Sequence, residues 1–479
     1  MANSLHTQAK AITTLFLVIG LGCIAYCALF GTLESIIIIT ILPLIGYVLI
    51  CAFNKPVIAV YALFILNYFL IAWIRYTETT GRSVWLDILF VIISVMVIVH
   101  SILMKDIPWK LALNCLTIGG GLWAIYCLAE ILNPTADTEA WIMSRSTIYN
   151  IFFISVLSSV LFTEIKQIRI LLFIFSILSS ISIVKVFYQR YIGFDPVEQR
   201  WLDAEGGITH LIASGTRYFS IFTDAGNFGS NMGLVTVLFG ILSIFTTKRA
   251  FRIYYLILAV LGIYALFLSG TRGALAVPLG GLLLFSLISK NFKLMTITGI
   301  IGLTIYIFFA HTYIGQGNPM IRRMRTTFRP TEDASFNVRK ENQRKLAQYL
   351  KDKPFGEGLG LSGGNARRFS NRFTANIPND STYVKIWVET GIVGLILFLA
   401  LLIITFLRCC YIIMFRIKDK ELRGMLIAML CGIFGLMISA YGNAFFNQFP
   451  TQIIVFAFFA IILNGPYIEQ KLTQSQTIK

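Results

Sequence analysis

Long runs of hydrophobic residues follow one another along almost the whole chain. Runs of about 18 apolar residues are long enough to cross a bilayer as α-helices, whereas a membrane β-barrel would show short alternating segments. We therefore predict an all-α polytopic membrane protein with about 14 transmembrane helices, in a range of roughly 12–14. The predicted spans are residues 11–30, 33–53, 56–74, 85–104, 111–132, 147–164, 170–188, 229–246, 253–270, 273–289, 294–314, 391–415, 423–441 and 452–466.

The composition supports a membrane protein. Hydrophobic residues make up 57% of the 479 residues and charged residues only 13%, too few charges to cover a soluble protein of this size. The net charge of +17 is compatible with nucleic acid. In a membrane protein, however, such a charge is more often due to cytoplasmic loops and to a partner that carries phosphate. We therefore expect membrane lipids and a phosphate-bearing ligand as partners, and no nucleic acid.

Lysine and arginine in the short loops predict the orientation, because such residues concentrate in cytoplasmic loops. A cytoplasmic N-terminus places on the inner side Lys55, Lys105, Lys110, Lys166, Arg169, Lys248, Arg249, Arg252, Lys290, Lys293 and the basic block at 416–423. The short outer connections carry only Arg75, Arg82, Arg145 and Arg272. Both termini are therefore predicted to be cytoplasmic, with the two long loops on the opposite side of the membrane.

The predicted topology divides the chain into five parts. Residues 1–188 form an N-terminal transmembrane bundle and 189–228 an extracytoplasmic loop. Residues 229–314 are transmembrane helices that include the "SGTRG" motif, 315–390 form a large extracytoplasmic loop, and 391–479 are the C-terminal helices. Long loops in compact proteins are usually functional. Within the large loop, the spacing of apolar residues predicts an amphipathic helix from about 336 to 351.

Two outer arginines are candidate anion ligands. Arg272 lies in "LFLSGTRGALAVPLGG", between two apolar runs, and Arg217 lies in "SGTRYFSIFTDAGNFG" ahead of Asp224. A guanidinium close to hydrocarbon is costly unless it is paired or reaches the interface. Arg272 is therefore either a boundary arginine or part of an anion site. The loop around Arg217 is either a solvated connection or an aromatic segment that returns to the membrane surface.

The large loop is rich in basic residues although it is predicted to lie outside. It has six acidic residues, Asp380 included, and thirteen basic ones: Arg322, Arg323, Arg325, Arg329, Arg339, Lys340, Arg344, Lys345, Lys351, Lys353, Arg367, Arg368 and Arg372. Long translocated loops can ignore the charge rule. Arginine also grips phosphate in a bidentate manner, so phosphate binding, with Arg339 among the ligands, is the hypothesis that we favour.

No metal or cofactor motif is evident. The "GLGLSG" stretch at 358–363 fits GxGxxG, but no strand precedes it and no βαβ unit surrounds it, so a glycine turn is the better interpretation. The four histidines are scattered, and the eight cysteines lie in predicted spans or at their ends. We therefore predict no cofactor, no required metal and no disulfide framework.

Three features occur in order: "FTDAGNFG" after Arg217, "SGTRGAL" around Arg272, and "PFGEGLGLSG" followed by "PNDSTYVKIWVETGIVGL". Together, over about residues 215–400, they resemble the O-antigen ligase and O-antigen polymerase superfamily of bacterial membrane glycosyltransferases. The resemblance implies a GT-C-like fold in the inner membrane, with the large loops in the periplasm. It also implies a donor oligosaccharide linked through pyrophosphate to undecaprenol, and an acceptor glycan, either a lipid-linked chain or lipid A core.

The resemblance also implies roles for individual residues. Arg272 and Arg217 would hold the pyrophosphate, and Asp380 would meet the acceptor hydroxyl as a base or hydrogen-bond acceptor, although Asp380 also fits a plain helix cap. Asp224 is a further candidate substrate-binding residue. Arginines can stabilise the charge that develops on pyrophosphate, so no metal is needed.

The end of the large loop bears on the acceptor. Tyr383 and Trp387 are candidates for sugar or interface packing. Glu389 is a candidate substrate-binding residue, which would more often orient an arginine than act directly. Ligases of the superfamily carry a histidine where this chain has Asp380, counting back from Glu389 and Gly391. We therefore predict a surface polysaccharide polymerase, with an O-antigen ligase as the alternative. A lipid-linked glycan transporter or flippase is a rival of another class, but it predicts charges deep within the spans, where few occur.

Overall fold

The computed structural model describes a large part of the chain, and almost all of that part is helical. The described residues are 50–77, 84–212, 215–290, 292–328, 334–378 and 381–477, with isolated positions at 18, 20–22, 25 and 46. Most of the first two predicted spans therefore lies outside the described residues. The strands found in the described segments are β1 (Leu211–Ile212) and β2 (Gly215–Thr216), which pair antiparallel.

The described helices are numbered here in chain order. The helices between residues 57 and 268 are α1 Val57–Thr77, α2 Val84–Met104, α3 Cys115–Ala129, α4 Thr138–Met143, α5 Arg145–Leu161, α6 Ile165–Tyr191, α7 Pro196–Trp201, α8 Gly207–His210, α9 Ala225–Phe245 and α10 Arg249–Leu268. The others are α11 Ala276–Ile288, α12 Phe292–His311, α13 Pro319–Arg325, α14 Ala334–Tyr349, α15 Phe373–Asn376, α16 Thr382–Phe415, α17 Lys420–Ser439, α18 Thr451–Leu463 and α19 Gly465–Thr477.

The helices confirm an all-α integral membrane protein. Nine helical stretches among the described residues are long and apolar enough to cross a membrane, or ten if the bent pair α18 and α19 is one span. The predicted spans 273–289 and 294–314 correspond to shorter apolar helices, Arg272–Ile288 and Met295–His311. The predicted total of 14 therefore stays a prediction.

The chain divides into two compact units. One contains residues 1–63 and 89–107, where Nδ1 of the buried His100 donates to the Phe53 carbonyl at 2.7 Å. The other contains residues 64–88 and 108–479, and all of the predicted site residues belong to it.

Close helix packing in the second unit depends on small residues. A Cβ at Gly280 would lie 2.7 Å from Cδ1 of Ile438, and one at Gly281 would lie 2.7 Å from the methyl groups of Val237. Glycine thus lets α11 approach α9 and α17 closely, as is common between membrane helices.

The first outer loop, residues 192–224, is held from below by polar side chains of membrane helices. Arg75 on α1 donates to the carbonyls of Ser220 (3.2 Å) and Phe222 (2.5 Å). Its guanidinium also lies 4.5 Å from the ring centroid of Phe219 and 4.7 Å from that of Trp201. Phe219 and Phe222 are fully buried, so the aromatic part of this loop packs into the protein instead of being solvated.

The start of the same loop is fixed by an ion-pair cluster. Lys185 on α6 lies 2.8 Å from Asp195 and 3.0 Å from the buried Glu198. Burial alone would raise the pKa of Asp195, but hydrogen bonds from Lys185 and Tyr76 outweigh it and hold this pKa well below its ordinary value. Asp195 is therefore ionised at neutral pH, and it also caps α7 by accepting the Val197 and Glu198 amides.

The second outer loop contains the amphipathic helix that the sequence predicts. This helix, α14, buries Leu346 and Leu350 against Ile377 and Val388. Trp387 packs on the same cluster and so supports the loop helix. Of the two roles suggested for Trp387, contact with sugar and packing, this contact is packing. The cluster joins the loop to the first turns of α16.

The predicted span 391–415 is part of a longer helix with a break. The helix α16 begins at Thr382, and Gly391 inside it has non-helical dihedral angles, φ 64° and ψ −169°. The break therefore falls where the apolar run was predicted to begin. Only glycine adopts this conformation readily, which explains why the break falls at Gly391. The residues from Thr382 to the break form a separate helical segment ahead of the apolar run.

Candidate functional site

One large cavity lies among the outer loops of the second unit. It has a volume of about 1620 Å³, large enough for several sugar residues. Seven cationic side chains line it among the described residues: Arg217, Arg272, Arg322, Arg323, Arg339, Arg368 and Lys385. The carboxylates found in its described walls are Asp224 and Glu389. Such a wall attracts anionic ligands.

The structure brings five of the seven predicted site residues to this cavity. Arg217, Arg272, Arg339, Asp224 and Glu389 all line it, although they come from different helices and loops. Of the other two, Tyr383 does not line it and Asp380 lies outside the described residues.

The "SGTRG" turn gathers several arginines. Arg217 donates from Nη2 to Oγ1 of Thr271 at 3.0 Å and from Nη1 to the Thr209 carbonyl at 3.0 Å. Gly270 has a φ of 57°, and a Cβ there would lie 3.3 Å from Cγ of Arg217 and 3.7 Å from Nε of Arg323. Both arginines therefore pass close to the glycine backbone.

The other side of the turn carries two more arginines. Arg272 donates from Nη1 to Oγ1 of Thr326 at 3.0 Å. A Cβ at Gly442 would lie 3.5 Å from Nη1 of Arg339 and 3.8 Å from Cα of Gly273. We call the four residues Arg217, Arg272, Arg323 and Arg339 the arginine cluster. Guanidinium groups arranged around one backbone turn suit a ligand with several phosphate oxygens.

His210 supports the start of α9 and was missed in the sequence. Its Nε2 accepts the Ala225 amide at 3.1 Å, so Nδ1 carries the proton and donates to the Gly206 carbonyl at 2.8 Å. Burial lowers the pKa of His210 below its ordinary value. The ring is therefore neutral at pH 7, and it fixes the backbone beside Asp224.

Asp224 both lines the cavity and caps a helix. Its Oδ1 accepts the amides of Gly226 (2.7 Å) and Asn227 (3.0 Å), which makes it the N-cap of α9. An acceptor at this position stabilises a helix N-terminus. The structure thus places the predicted ligand-binding carboxylate at a helix start, beside Arg217 and His210.

The connection between α17 and α18 also forms part of the cavity and was missed. Asn443, Asn447 and Gln448 line it. The Asn443 amide lies between two glycines, since a Cβ at Gly226 would be 3.0 Å from its Oδ1 and one at Gly273 would be 2.7 Å from its Nδ2. The sequence does contain a sign of this polar connection, because "YGNAFFNQFP" places three amide side chains between two apolar helices.

The glycine-rich stretch at 354–363, here called the glycine turn, docks on the broken helix. The amides of Glu357 and Gly358 donate to the carbonyls of Val388 (2.9 Å) and Glu389 (3.0 Å), which the break at Gly391 leaves without helical partners. A Cβ at Gly391 would overlap the Pro354 carbonyl. The predicted glycine turn is confirmed, and its function here is to fix the loop on α16.

Glu389 points from α16 toward the cavity. It is almost fully buried and accepts a hydrogen bond from Oγ of Ser362 at 2.5 Å. Nζ of Lys385 lies 4.0 Å from its Oε1. Glu389 thus contacts the Ser362 hydroxyl, the Gly360 backbone amide and the more distant Lys385, and the prediction that it orients an arginine stays a prediction.

Ser381 is the N-cap of α16, because its backbone is extended and its hydroxyl accepts the Val384 amide. Asp380, for which a cap was one alternative, lies outside the described residues, and its role stays a prediction. Tyr383 lies one turn before Trp387, and its hydroxyl donates to the Met437 carbonyl at 2.6 Å. Tyr383 therefore joins α16 to α17, and its proposed contact with sugar stays untested.

The described residues contain no group of three or more His, Cys, Asp or Glu side chains that could hold a metal ion. The cationic groups of the cavity are arginines and one lysine. These side chains are the charged groups that the described walls offer to an anionic ligand.

The fold and the cavity define an integral membrane protein with an arginine-rich chamber built from its long loops. Residues 257–399 match the model of a family described as O-antigen ligase, Wzy_C. The resemblance drawn from the sequence is thereby confirmed for this part of the chain, which contains Arg272, the glycine turn and Glu389. Members of the family are glycosyltransferase-like O-antigen ligases or polymerases, which supports an enzyme that acts on a lipid-linked glycan and an acceptor. A search of curated proteins finds no match.

Proposed function

We propose that this protein is a periplasm-facing glycosyltransferase of the bacterial inner membrane. It transfers a glycan from undecaprenyl pyrophosphate to an acceptor hydroxyl and so polymerises a surface polysaccharide. The arginine cluster at the "SGTRG" turn carries this proposal, because it combines high positive charge with a close approach to the backbone.

The arginine cluster suits the leaving group of this reaction. As the bond between the anomeric carbon and the phosphate oxygen breaks, its electron pair passes to the pyrophosphate, where negative charge accumulates. Fixed guanidinium groups stabilise such charge more effectively than water does. Arg217 and Arg272 are held by Thr271 and Thr326, so they are in place before the charge develops. In this proposal the reaction requires no metal ion.

The acceptor hydroxyl gives up a proton when it attacks the anomeric carbon. Asp380 is the candidate base or hydrogen-bond acceptor, and its neighbour Ser381 lies at the start of α16, next to a recess lined by Arg339 and Pro378. A positioned carboxylate in reach of the hydroxyl can accept this proton.

Two acceptors remain for this reaction. The carboxylate at the position where ligases of the superfamily have histidine favours a polymerase, whose acceptor is another lipid-linked glycan. The family description, O-antigen ligase, favours lipid A core as the acceptor.

Deletion of the gene distinguishes the two enzymes. Loss of a polymerase leaves single repeat units on the surface, whereas loss of a ligase leaves full-length chains on undecaprenol. The deletion strain is then complemented with Arg272→Ala. We expect transfer to fall by at least about a hundredfold, as when an oxyanion ligand is removed. Arg344→Gln, which alters an exposed arginine of α14, is the matched control. Normal transfer by a folded Arg272→Ala protein would contradict the proposal.

A further inference from the structure

We propose that Lys385, Glu389 and Ser362 form the binding subsite for the acceptor sugar. This inference rests on the proposed function and assigns the part of the cavity wall that α16 and the glycine turn supply. The subsite offers a carboxylate, an ammonium group and a hydroxyl, which can hydrogen-bond to a polyol.

Helix geometry places the two charged residues together. Lys385 and Glu389 are four residues apart on α16, so they share one face of the helix. Both line the cavity, and the Lys385 side chain keeps 30% of its surface exposed. Their 4.0 Å separation is longer than a direct hydrogen bond, so a sugar hydroxyl can interact with both groups.

A second buried glutamate, Glu357 of the glycine turn, has a different environment from that of Glu389. Glu357 forms ion pairs with Lys353 and, at 3.3 Å, with Arg372, and it is not part of the cavity wall. Two close cations satisfy Glu357, as a purely structural buried carboxylate requires. Glu389 instead faces the cavity with two neutral donors, the Ser362 hydroxyl and the Gly360 amide, and with one more distant ammonium group.

The charge of Glu389 decides which part of the substrates it contacts. An acidic side chain offers a pyrophosphate group no positive charge, whether or not it is ionised, so Glu389 is unsuited to the donor's leaving group. Sugar hydroxyls donate well to a carboxylate, and such charge-assisted hydrogen bonds are strong. The arginine cluster comes from other elements, namely the first outer loop, the "SGTRG" turn, α13 and α14. The cavity wall therefore combines an arginine cluster suited to the pyrophosphate with a group from α16 and the glycine turn suited to the acceptor.

The backbone holds the subsite in one geometry. The Glu389 carbonyl accepts the Gly358 amide, and the same glycine turn supplies Ser362 to the Glu389 carboxylate. A Cβ at Gly360 would lie 2.6 Å from the Ala140 carbonyl and from Oγ of Ser144. The turn is thus clamped between α4 and α16, which fixes the distance between Ser362 and Glu389 before a sugar arrives.

The test uses the full-length protein in detergent, with the lipid-linked glycan that accumulates in the deletion strain. Transfer is measured while the concentration of the acceptor is varied at a fixed donor concentration, and then the reverse. Because a lipid-linked single repeat can serve a polymerase both as donor and as acceptor, the donor is blocked at its non-reducing end, and the acceptor is the repeat unit on a carrier without pyrophosphate, which cannot donate. If deletion indicates a ligase, the acceptor is lipid A core from the same strain. The variants are Glu389→Gln, Lys385→Met and the matched control Glu357→Gln, and the melting temperature of each is recorded.

We expect Glu389→Gln and Lys385→Met to raise the acceptor KM about tenfold or more, as loss of a charged hydrogen bond does, with the donor KM unchanged. Glu357→Gln should lower the melting temperature and leave the acceptor KM unchanged. An unchanged acceptor KM in Lys385→Met, which removes a partly exposed side chain, would overturn the inference even if Glu389→Gln fails to fold. An equal rise in donor and acceptor KM would also overturn it. Absence of any transfer by the wild-type protein would instead contradict the proposed function.

Discussion

The two outer loops of this protein are held in place by different means. Side chains from membrane helices anchor the first loop: Arg75 binds its carbonyls, and Lys185 binds its carboxylates. The backbone anchors the second loop, because the glycine turn donates amides to the carbonyls of the broken helix α16. Both loops contribute walls to the same cavity. A single side-chain change should therefore loosen the first loop, whereas a change of backbone conformation is needed to detach the second.

The largest effect is expected where the backbone holds the second loop. Gly391→Ala adds a Cβ that overlaps the Pro354 carbonyl at a residue with φ 64°. We expect a loss of about 3 kcal/mol or more in the free energy of unfolding and loss of glycan transfer, measured by detergent melting and by polysaccharide gels. Gly317→Ala, where a Cβ meets open space, should behave like the wild type. Normal melting of Gly391→Ala would show that the break is not needed to hold the loop.

The side-chain anchor of the first loop should give the next largest effect. Arg75→Met removes the hydrogen bonds to the Ser220 and Phe222 carbonyls and the contacts with Trp201 and Phe219. The Phe222 carbonyl loses the Arg75 donor, whereas the Ser220 carbonyl keeps a hydrogen bond from Gln189 at 3.3 Å. The lost donor and ring contacts should lower the free energy of unfolding by about 2–3 kcal/mol, seen as a lower melting temperature in detergent.

The control for Arg75 is an arginine of an exposed ion pair. Arg169→Gln breaks a bidentate pair with Glu421 in which both side chains are about half exposed. Such pairs contribute about 1 kcal/mol or less. Equal destabilisation by Arg75→Met and Arg169→Gln would show that the burial of Arg75 does not matter to the first loop.

The sequence predicted much of the second loop because its signals are local. The spacing of apolar residues between 336 and 351 indicated α14, and "SGTRG" marked Arg272. Tyr383 was selected as a substrate residue, but the helical register of α16 directs it to the Met437 carbonyl. Lys385 lies four residues before Glu389, so the two side chains share one face of α16. This spacing is visible in the sequence.

The first loop and the α17–α18 connection were harder to predict for a physical reason. His210 acts through the Ala225 amide, fifteen residues later, and Asn443 reaches the cavity between Gly226 and Gly273. Neither position shows a periodic pattern, because its role depends on tertiary contacts, although the amide side chains around Asn443 mark that connection as unusual. The first two predicted spans lie mostly outside the described residues and stay predictions.

His210 provides a pH-dependent test of the first loop. Its pKa in the folded protein is lowered by burial, with Arg217 and Arg75 adding to the effect and the Gly206 carbonyl and Asp224 opposing it. The His210 side chain therefore binds a proton more readily in the unfolded chain than in the folded protein. Its contribution to the free energy of unfolding is fully present above about pH 6.5 and is lost as the pH falls below that value. Protonation of Nε2 also removes the acceptor of the Ala225 amide.

The measurement is the melting temperature between about pH 5 and pH 8, with hydrogen exchange at the Ala225 amide as a local readout. His210→Gln retains an acceptor for this amide but does not titrate, so its melting temperature should depend less on pH. A pH profile identical to that of the wild type would show that His210 does not control the acid sensitivity of the first loop.

The smallest effect is expected from an arginine of the second loop that faces solvent. The Arg344 side chain is 73% exposed and lies 3.6 Å from Glu341, so Arg344→Gln should change the free energy of unfolding by about 0.5 kcal/mol or less and leave transfer unchanged. Arg339 lies on the same helix, α14, but lines the cavity beside Gly442. Arg339→Gln should therefore lower transfer by about tenfold or more with the same charge change. If both variants lower transfer equally, the net charge of the loop, and not the cavity position of Arg339, governs activity.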